Sequence, residues 1–322
     1  MPKKYHTALV TGGAGFIGSH LVDALVARRI KVYVIDDLST GKKSNLNPNA
    51  TFFNTSILHP GIGKLIAKIK PDVVFHLAAQ IDVRSSVADP PADATVNIMG
   101  TLYVAHASAK AGVKKFIFTS TGGAMYSDAL RPPYHELTPV DPISPYAIAK
   151  RAGEMYMNFE HRIHGMNTVV LRLANVYGPR QAESGGYAGV IAKFSQQLLR
   201  GEQAVITGEG KQTRDYVYVG DIARAHLLVM EKDVTGMFNI GSGIQTSVVQ
   251  LFRKINKLTG ANKKEVHVEA CPGEVLRSAL DSRKAKKELG WEPQVKLDEG
   301  IEKTVKWFAK KNKVSGTDSG IV

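Results

Sequence analysis

The chain has 322 residues, 43% of them hydrophobic, and a formal net charge of +13. That length can bury one large or two modest cores without a metal or disulfide staple, and its single cysteine, Cys271, excludes an internal disulfide. No apolar stretch approaches the ~20 residues that span a bilayer, and residues 1–6 lead into a strand-like run rather than an apolar signal core. The expectation is a cytoplasmic protein with no membrane partner. The lysines fall in scattered pairs, such as Lys42-Lys43 and Lys286-Lys287, with no long basic block and no interleaved aromatics. Nucleic acid is therefore not expected as a partner.

Strand-length apolar runs at 7–10, 31–35, 73–77, 115–120 and 167–173 alternate with longer amphipathic segments. This alternation predicts an α/β fold, a doubly wound parallel sheet with helices on both faces. The first run leads into glycines at 12, 15 and 18, ahead of a helix predicted over 19–28. In a strand–turn–helix setting, Gly12 permits the tight turn, Gly15 lets the backbone approach a pyrophosphate, and Gly18 lets helix and sheet pack closely. The helix start adds N–H donors and a positive dipole end. Asp36 ends the second run, placed to accept hydrogen bonds from ribose hydroxyls and to repel a 2′-phosphate, which favours NAD over NADP. A plain glycine-rich turn is the alternative; strand, helix and acid together argue against it.

The pattern breaks at Gly165 and across 179–186, and beyond it short strands mix with glycine-rich turns. A smaller C-terminal α/β substrate-binding lobe is predicted to begin near Gly178. The expected division is 1–178 for NAD, with 225–245 returning to that unit, and 179–311 for substrate. Residues 312–322 carry too little apolar content to pack and read as a disordered tail.

Tyr146 and Lys150 stand four residues apart on a predicted helix, so both side chains share one face. A free phenol ionises near pH ~10, so a tyrosine base needs a nearby cation, which Lys150 supplies. Tyr-x-x-x-Lys alone is common on surface helices; behind a dinucleotide turn it reads as catalytic. Among the ten histidines there is no His-x-x-x-His or His/Cys motif, and no metal site is expected.

With these features in place, the sequence resembles the extended short-chain dehydrogenases/reductases, and among them the UDP-glucose (UDP-galactose) 4-epimerases. The matching stretches are 11–18, 76–80, 96–97, 119–126, 146–150, 171–180, 212–217 and 272–274. The resemblance implies NAD-dependent inversion at C4 of a nucleotide-diphospho-sugar through a 4-keto intermediate. It places Gly12, Gly15, Phe16, Ile17, Gly18, Asp36, Ser56, Ile57, Leu77, Ala78, Ala79, Gln80, Asn97, Ser120, Tyr146, Lys150 and Val176 at the cofactor. It places Asp82, Thr121, Gly122, Tyr146, Asn175, Val190, Arg214, Tyr216, Arg277 and Ser278 at the substrate. A homodimer through helices in 101–112 and 146–165 is also implied.

The sequence departs from the family's pattern at several points. Gly122 stands four residues before Tyr126, where a serine or threonine commonly meets the sugar 4-hydroxyl, so a shifted Thr121, a water or Tyr146 alone must serve. No acid lies in 122–125, which disfavours a dehydratase, whose elimination needs further proton-transfer groups. Ser56 replaces a common aspartate at the adenine. Cys271 replaces an arginine at the diphosphate, with Arg277 as the substitute charge, and Ser278 leaves room for an N-acetyl group. Arg214-Asp215 reads alternatively as a surface ion pair. A net nucleotide-sugar oxidoreductase, and a non-catalytic NAD-binding regulatory or RNA-associated protein, remain as competing functions.

Overall fold

A computed structural model describes residues 5–126, 129–183, 185, 188–270 and 275–314. The first part of the chain forms β1 (Thr7–Thr11), α1 (Phe16–Ala27), β2 (Lys31–Asp36), β3 (Thr51–Asn54), α2 (Ile62–Ile69), β4 (Val73–His76), α3 (Val83–Ala88), α4 (Pro90–Ala94) and α5 (Thr101–Lys110). It continues through β5 (Lys115–Thr121), α6 (Pro145–His164), β6 (Asn167–Leu173), β7 (Asn175–Tyr177), α7 (Val190–Leu199), β8 (Ile206–Thr207) and β9 (Thr213–Tyr218). The last elements are α8 (Val219–Glu231), β10 (Gly236–Ile240), β11 (Gln245–Ser247), α9 (Val248–Thr259), β12 (His267–Val268), α10 (Arg283–Leu289) and α11 (Leu297–Val314).

Seven strands form a parallel sheet in the order β10-β6-β5-β4-β1-β2-β3. Period-two alternation feeds two cores, one on each face. Val10, Val34, Phe75, Ile117 and Val169 pack on one side with Leu21, Leu25, Ile222 and Ala225 of α1 and α8. Leu9, Ile35, Val74, Phe116 and Val170 pack on the other with Ile66, Val104 and Met157 of α2, α5 and α6. This is the predicted doubly wound architecture. A third core gathers α7, α9 and α11 around Phe194, Phe252 and Ile301, beside the small sheet β11-β9-β7. No described helix is long and apolar enough to cross a membrane.

Four details differ from the sequence expectations. The first helix spans Phe16–Ala27 rather than 19–28, because Gly15 is its N-cap and Arg28 its C-cap. β3 and β10 extend the large sheet beyond the five predicted strands; both are short, and β3 is an edge strand with no fully buried residue. The small sheet begins at Asn175, before Gly178, and the chain rejoins the large unit from Val219, where α8 packs on α1. Residues 312–314 are helical rather than disordered, since Phe308 anchors α11 and Asn312, one turn on, is buried with its amide donating to Gln196 Oε1 at 3.1 Å. The remainder of the expected tail lies outside the described residues, as do Cys271 and the 272–274 stretch.

Candidate active site

The glycine turn lies where β1 meets α1. Gly12 has φ +72°, and a Cβ there would come within 2.7 Å of the Ala78 backbone nitrogen, so no other residue fits without displacing the β4 crossover. A Cβ on Gly18 would lie 2.1 Å from the Gly12 carbonyl oxygen. The start of α1 carries no side-chain cap and no acid in its first turn, so the N–H groups of Phe16, Ile17 and Gly18 face no competing carboxylate. Asp36 is buried at the end of β2; its Oδ2 accepts from Ala14 N at 2.9 Å and its Oδ1 from Leu38 N at 2.8 Å. Burial raises its pKa while these two bonds lower it. Each oxygen keeps a further lone pair for a ribose hydroxyl. An open helix end, a bulk-free turn and an oriented acid fit NAD.

The next strands bring the other cofactor candidates to the same edge. Leu77 and Ala78 donate their N–H groups to Thr11, at its carbonyl and its hydroxyl. Gln80 exchanges backbone bonds with the Asn97 amide, at 3.0 and 2.8 Å. Ile57 is buried, and Ser56 accepts from Leu58 N at 3.3 Å. Asp82 caps α3, accepting from Arg84 N and Ser85 Oγ, one bond on each carboxylate oxygen.

Ser144 caps α6 by accepting from Ala147 N, and Pro145 opens the helix, so Tyr146 enters in the first turn. Its phenol faces the Thr121 side chain at the end of β5, whose influence lowers the phenol pKa. Lys150, one turn on, is buried; its Nζ donates to Thr119 O at 3.0 Å and lies 6.0 Å from the Tyr146 ring centroid. Burial pulls the Lys150 pKa down to about 8 against the raising effect of Asp93 and Glu154. Burial and the Asp93 carboxylate push the Tyr146 phenol up, while Thr121 counteracts. Gly122 is glycine for a steric reason: a Cβ there would lie 2.5 Å from Leu280 Cδ1.

Ser120 has a partner within the protein. Its hydroxyl, expected at the cofactor, donates to Glu154 Oε1 at 2.7 Å on the scaffold side of β5. Glu154 also receives Arg172 Nε at 2.7 Å and Nη2 at 2.6 Å, and Arg172 Nη1 donates to the Tyr126 hydroxyl at 2.8 Å. Sequence reasoning passed over this buried network and over Asp93, 2% exposed, which accepts from Gln80 Nε2 and Asn97 Nδ2. Neither carries a motif; the partners meet only across strands and helices. His76, read as a packed residue, bridges the Thr11 and Thr101 hydroxyls at 2.8 and 3.0 Å, and burial lowers its pKa to about 3.

Asn175, Val176, Val190 and Tyr216, all predicted, line a cavity of about 200 Å³ with Ile81, Tyr177 and Gln181, which were not. Arg214 stands on β9, its Nη1 donating to Thr213 O. Arg277 pairs with Thr213 through an isolated bridge, which brings both arginines to neighbouring positions, and Ser278 N donates to Thr213 O at 3.1 Å. Arg214-Asp215 is not a surface ion pair. Asp215 is 1% exposed and accepts from the N–H groups of Ser242, Gly243 and Leu280, joining β9 to the 241–243 turn.

Comparison with known proteins agrees with this geometry. A UDP-glucose 4-epimerase of Mycolicibacterium smegmatis is 45% identical over 311 residues, covering 94% of this chain and 99% of its own. A UDP-glucose 4-epimerase of Thermotoga maritima, solved with UDP-glucose, is 50% identical with a TM-score of 0.93, covering 95% of this chain and 99% of its own. A UDP-N-acetylglucosamine 4-epimerase of Methanobrevibacter ruminantium, solved with UDP-N-acetylmuramic acid, is 37% identical with a TM-score of 0.91, covering 96% of this chain and 100% of its own. Residues 8–241 match the NAD dependent epimerase/dehydratase family, and the chain belongs to that family.

Proposed function

We propose that the chain inverts C4 of a UDP-sugar, UDP-glucose/UDP-galactose or an N-acetyl or uronic acid analogue, with NAD. The observation that carries this reading is Tyr146 beside Thr121 and buried Lys150, at the same edge of the parallel sheet as the glycine turn. When bound, NAD supplies the acceptor for the C4 hydrogen and returns it. Tyr146 removes the proton of the 4-hydroxyl and later restores it. Thr121 orients that oxygen through its own hydroxyl. Lys150, held against the Thr119 carbonyl one helical turn away, presents a cation that favours the phenolate. Arg214 and Arg277 hold the diphosphate by charge-assisted bonds, so the sugar is the loosely held part and can present either face. Loss of the hydroxyl proton to Tyr146 together with the C4 hydride leaves a 4-keto sugar as the intermediate.

Exposed Tyr103 on α5 and Met155, Phe159 and Ile163 on α6 form an apolar face. In this reading it is the surface of a homodimer. The activity is tested by incubating purified protein with UDP-glucose, UDP-N-acetylglucosamine and UDP-glucuronate in turn and resolving products by proton NMR. A 4-epimer from one or more is expected. No change in any, with NAD added, would refute the reading.

A further inference from the structure

Away from the cleft, Glu160 on α6 is 1% exposed, and its Oε2 has no hydrogen-bond partner. A buried carboxylate oxygen left unpartnered is unfavourable unless a cation compensates it. Two imidazoles converge on this carboxylate. His106 Nδ1 of α5 lies 3.6 Å from Oε1, and His164 Nε2 of α6 lies 3.8 Å from Oε2. One ligand atom from each of the three residues falls within 4.8 Å of the others. No histidine motif announced this, and no metal site was expected from the sequence. The cluster escapes a search by spacing because His106 comes from a different helix.

Two imidazoles and one carboxylate are a donor set that suits zinc. Bonds of ~2.0–2.1 Å in a tetrahedron separate ligand atoms by about 3.4 Å, so the His–Glu separations are already close to those of a filled site. The two histidine rings are partly exposed, with centroids 5.6 Å apart, and small rotations about their side-chain bonds bring them to a common centre. Phe159 packs edge-on to His164 at 5.6 Å and limits its other rotations. The buried Glu160 is the fixed member and the histidines are the adjustable ones.

We infer that His106, Glu160 and His164 bind one divalent transition metal ion of the zinc class, which cross-links α5 to α6. Water completes the coordination. Glu160 lies fourteen residues beyond Tyr146 on one helix, about 21 Å along its axis. The ion therefore stabilises the helix pair and takes no part in sugar chemistry.

The test uses untagged protein stripped with EDTA and titrated with zinc by calorimetry, with Tm followed in parallel. One tight site per chain is expected, together with a Tm rise that EDTA reverses and visible ligand-field bands when cobalt replaces zinc. His106→Ala and His164→Ala change rings beside the apolar face of α5 and α6 and far from Tyr146, so oligomeric state and sugar turnover are followed in parallel with zinc affinity. Each is expected to weaken zinc by more than the ~10–100-fold typical of losing an outer-shell partner. Glu160→Gln removes the charge at similar volume and abolishes the tight site. Absence of stoichiometric zinc binding, or parental affinity in either histidine variant, overturns the inference.

Discussion

The large sheet and the smaller lobe build their halves of the cleft in different ways. On the sheet, each functional group follows from its neighbours in sequence: Gly12 and Gly18 from one turn, Asp36 from the end of β2, Tyr146 and Lys150 from one helical face. On the lobe, Asn175, Tyr216 and Arg277 come from segments far apart and meet through strand pairing, Asn175 with Tyr216 and Arg277 with Thr213. In the proposed reading, Tyr146 and Lys150 are thus placed by local structure with Thr121 brought to them by β5, whereas the substrate residues meet through tertiary assembly. A family sharing one reaction can vary its sugars by changing the second kind of residue.

The widest separation between the halves is expected for Tyr146→Phe. Turnover falls by ~10²–10⁴, the range for a lost general base, with KM for the UDP-sugar and the folded state little changed; steady-state kinetics and circular dichroism check both. Glu154→Gln strikes the scaffold under the same edge. Removing one partner of a buried, hydrogen-bonded ion pair costs ~3–5 kcal/mol, read as a fall in denaturation midpoint. Lys211→Ala, which breaks a fully exposed pair with Glu209, leaves the midpoint unchanged. On the lobe, Arg214→Ala is expected to raise KM about 10–100-fold by loss of one charge-assisted contact of ~1.5–3 kcal/mol, with a smaller effect on kcat. An equal fall in kcat would put Arg214 at the reacting centre.

Acid acts on the sheet half through buried histidines. Burial lowers the pKa of His76 to about 3 and that of His226 to about 4. The unfolded chain binds these protons from pH ~6.5 downward and the folded chain does not, so stability is complete above that pH and lost as pH falls toward the folded values. Each histidine contributes a slope of up to ~1.4 kcal/mol per pH unit. His76→Asn makes the acid decline shallower in urea titrations between pH 6.5 and 4.

What was legible in the sequence follows the same division. The dinucleotide turn, Asp36 and the Tyr146/Lys150 face could be read because turn and helix geometry set them within a few residues. The approach of Thr121 to Tyr146 was less legible, since it depends on where β5 ends against α6. The tie of Ser120 to Glu154 and Arg172 could not be read locally, because it joins a strand, a helix and the next strand. Asp93, with one oxygen on Gln80 and Asn97, and the bridge of His76 between two threonines have no local pattern at all. Helix α11 outran its expected end because polar Asn312 is buried by the helix face it shares with Phe308 rather than by its own hydropathy.

The central claim is that the C4 hydrogen leaves and returns within one active site. UDP-glucose deuterated at C4 tests it most directly, incubated with the protein in ordinary water and an excess of free NADH, with the galactose product read by mass spectrometry and NMR. The account predicts that the deuterium stays at C4 of the product. Its loss to solvent or to the free NADH pool would contradict the account.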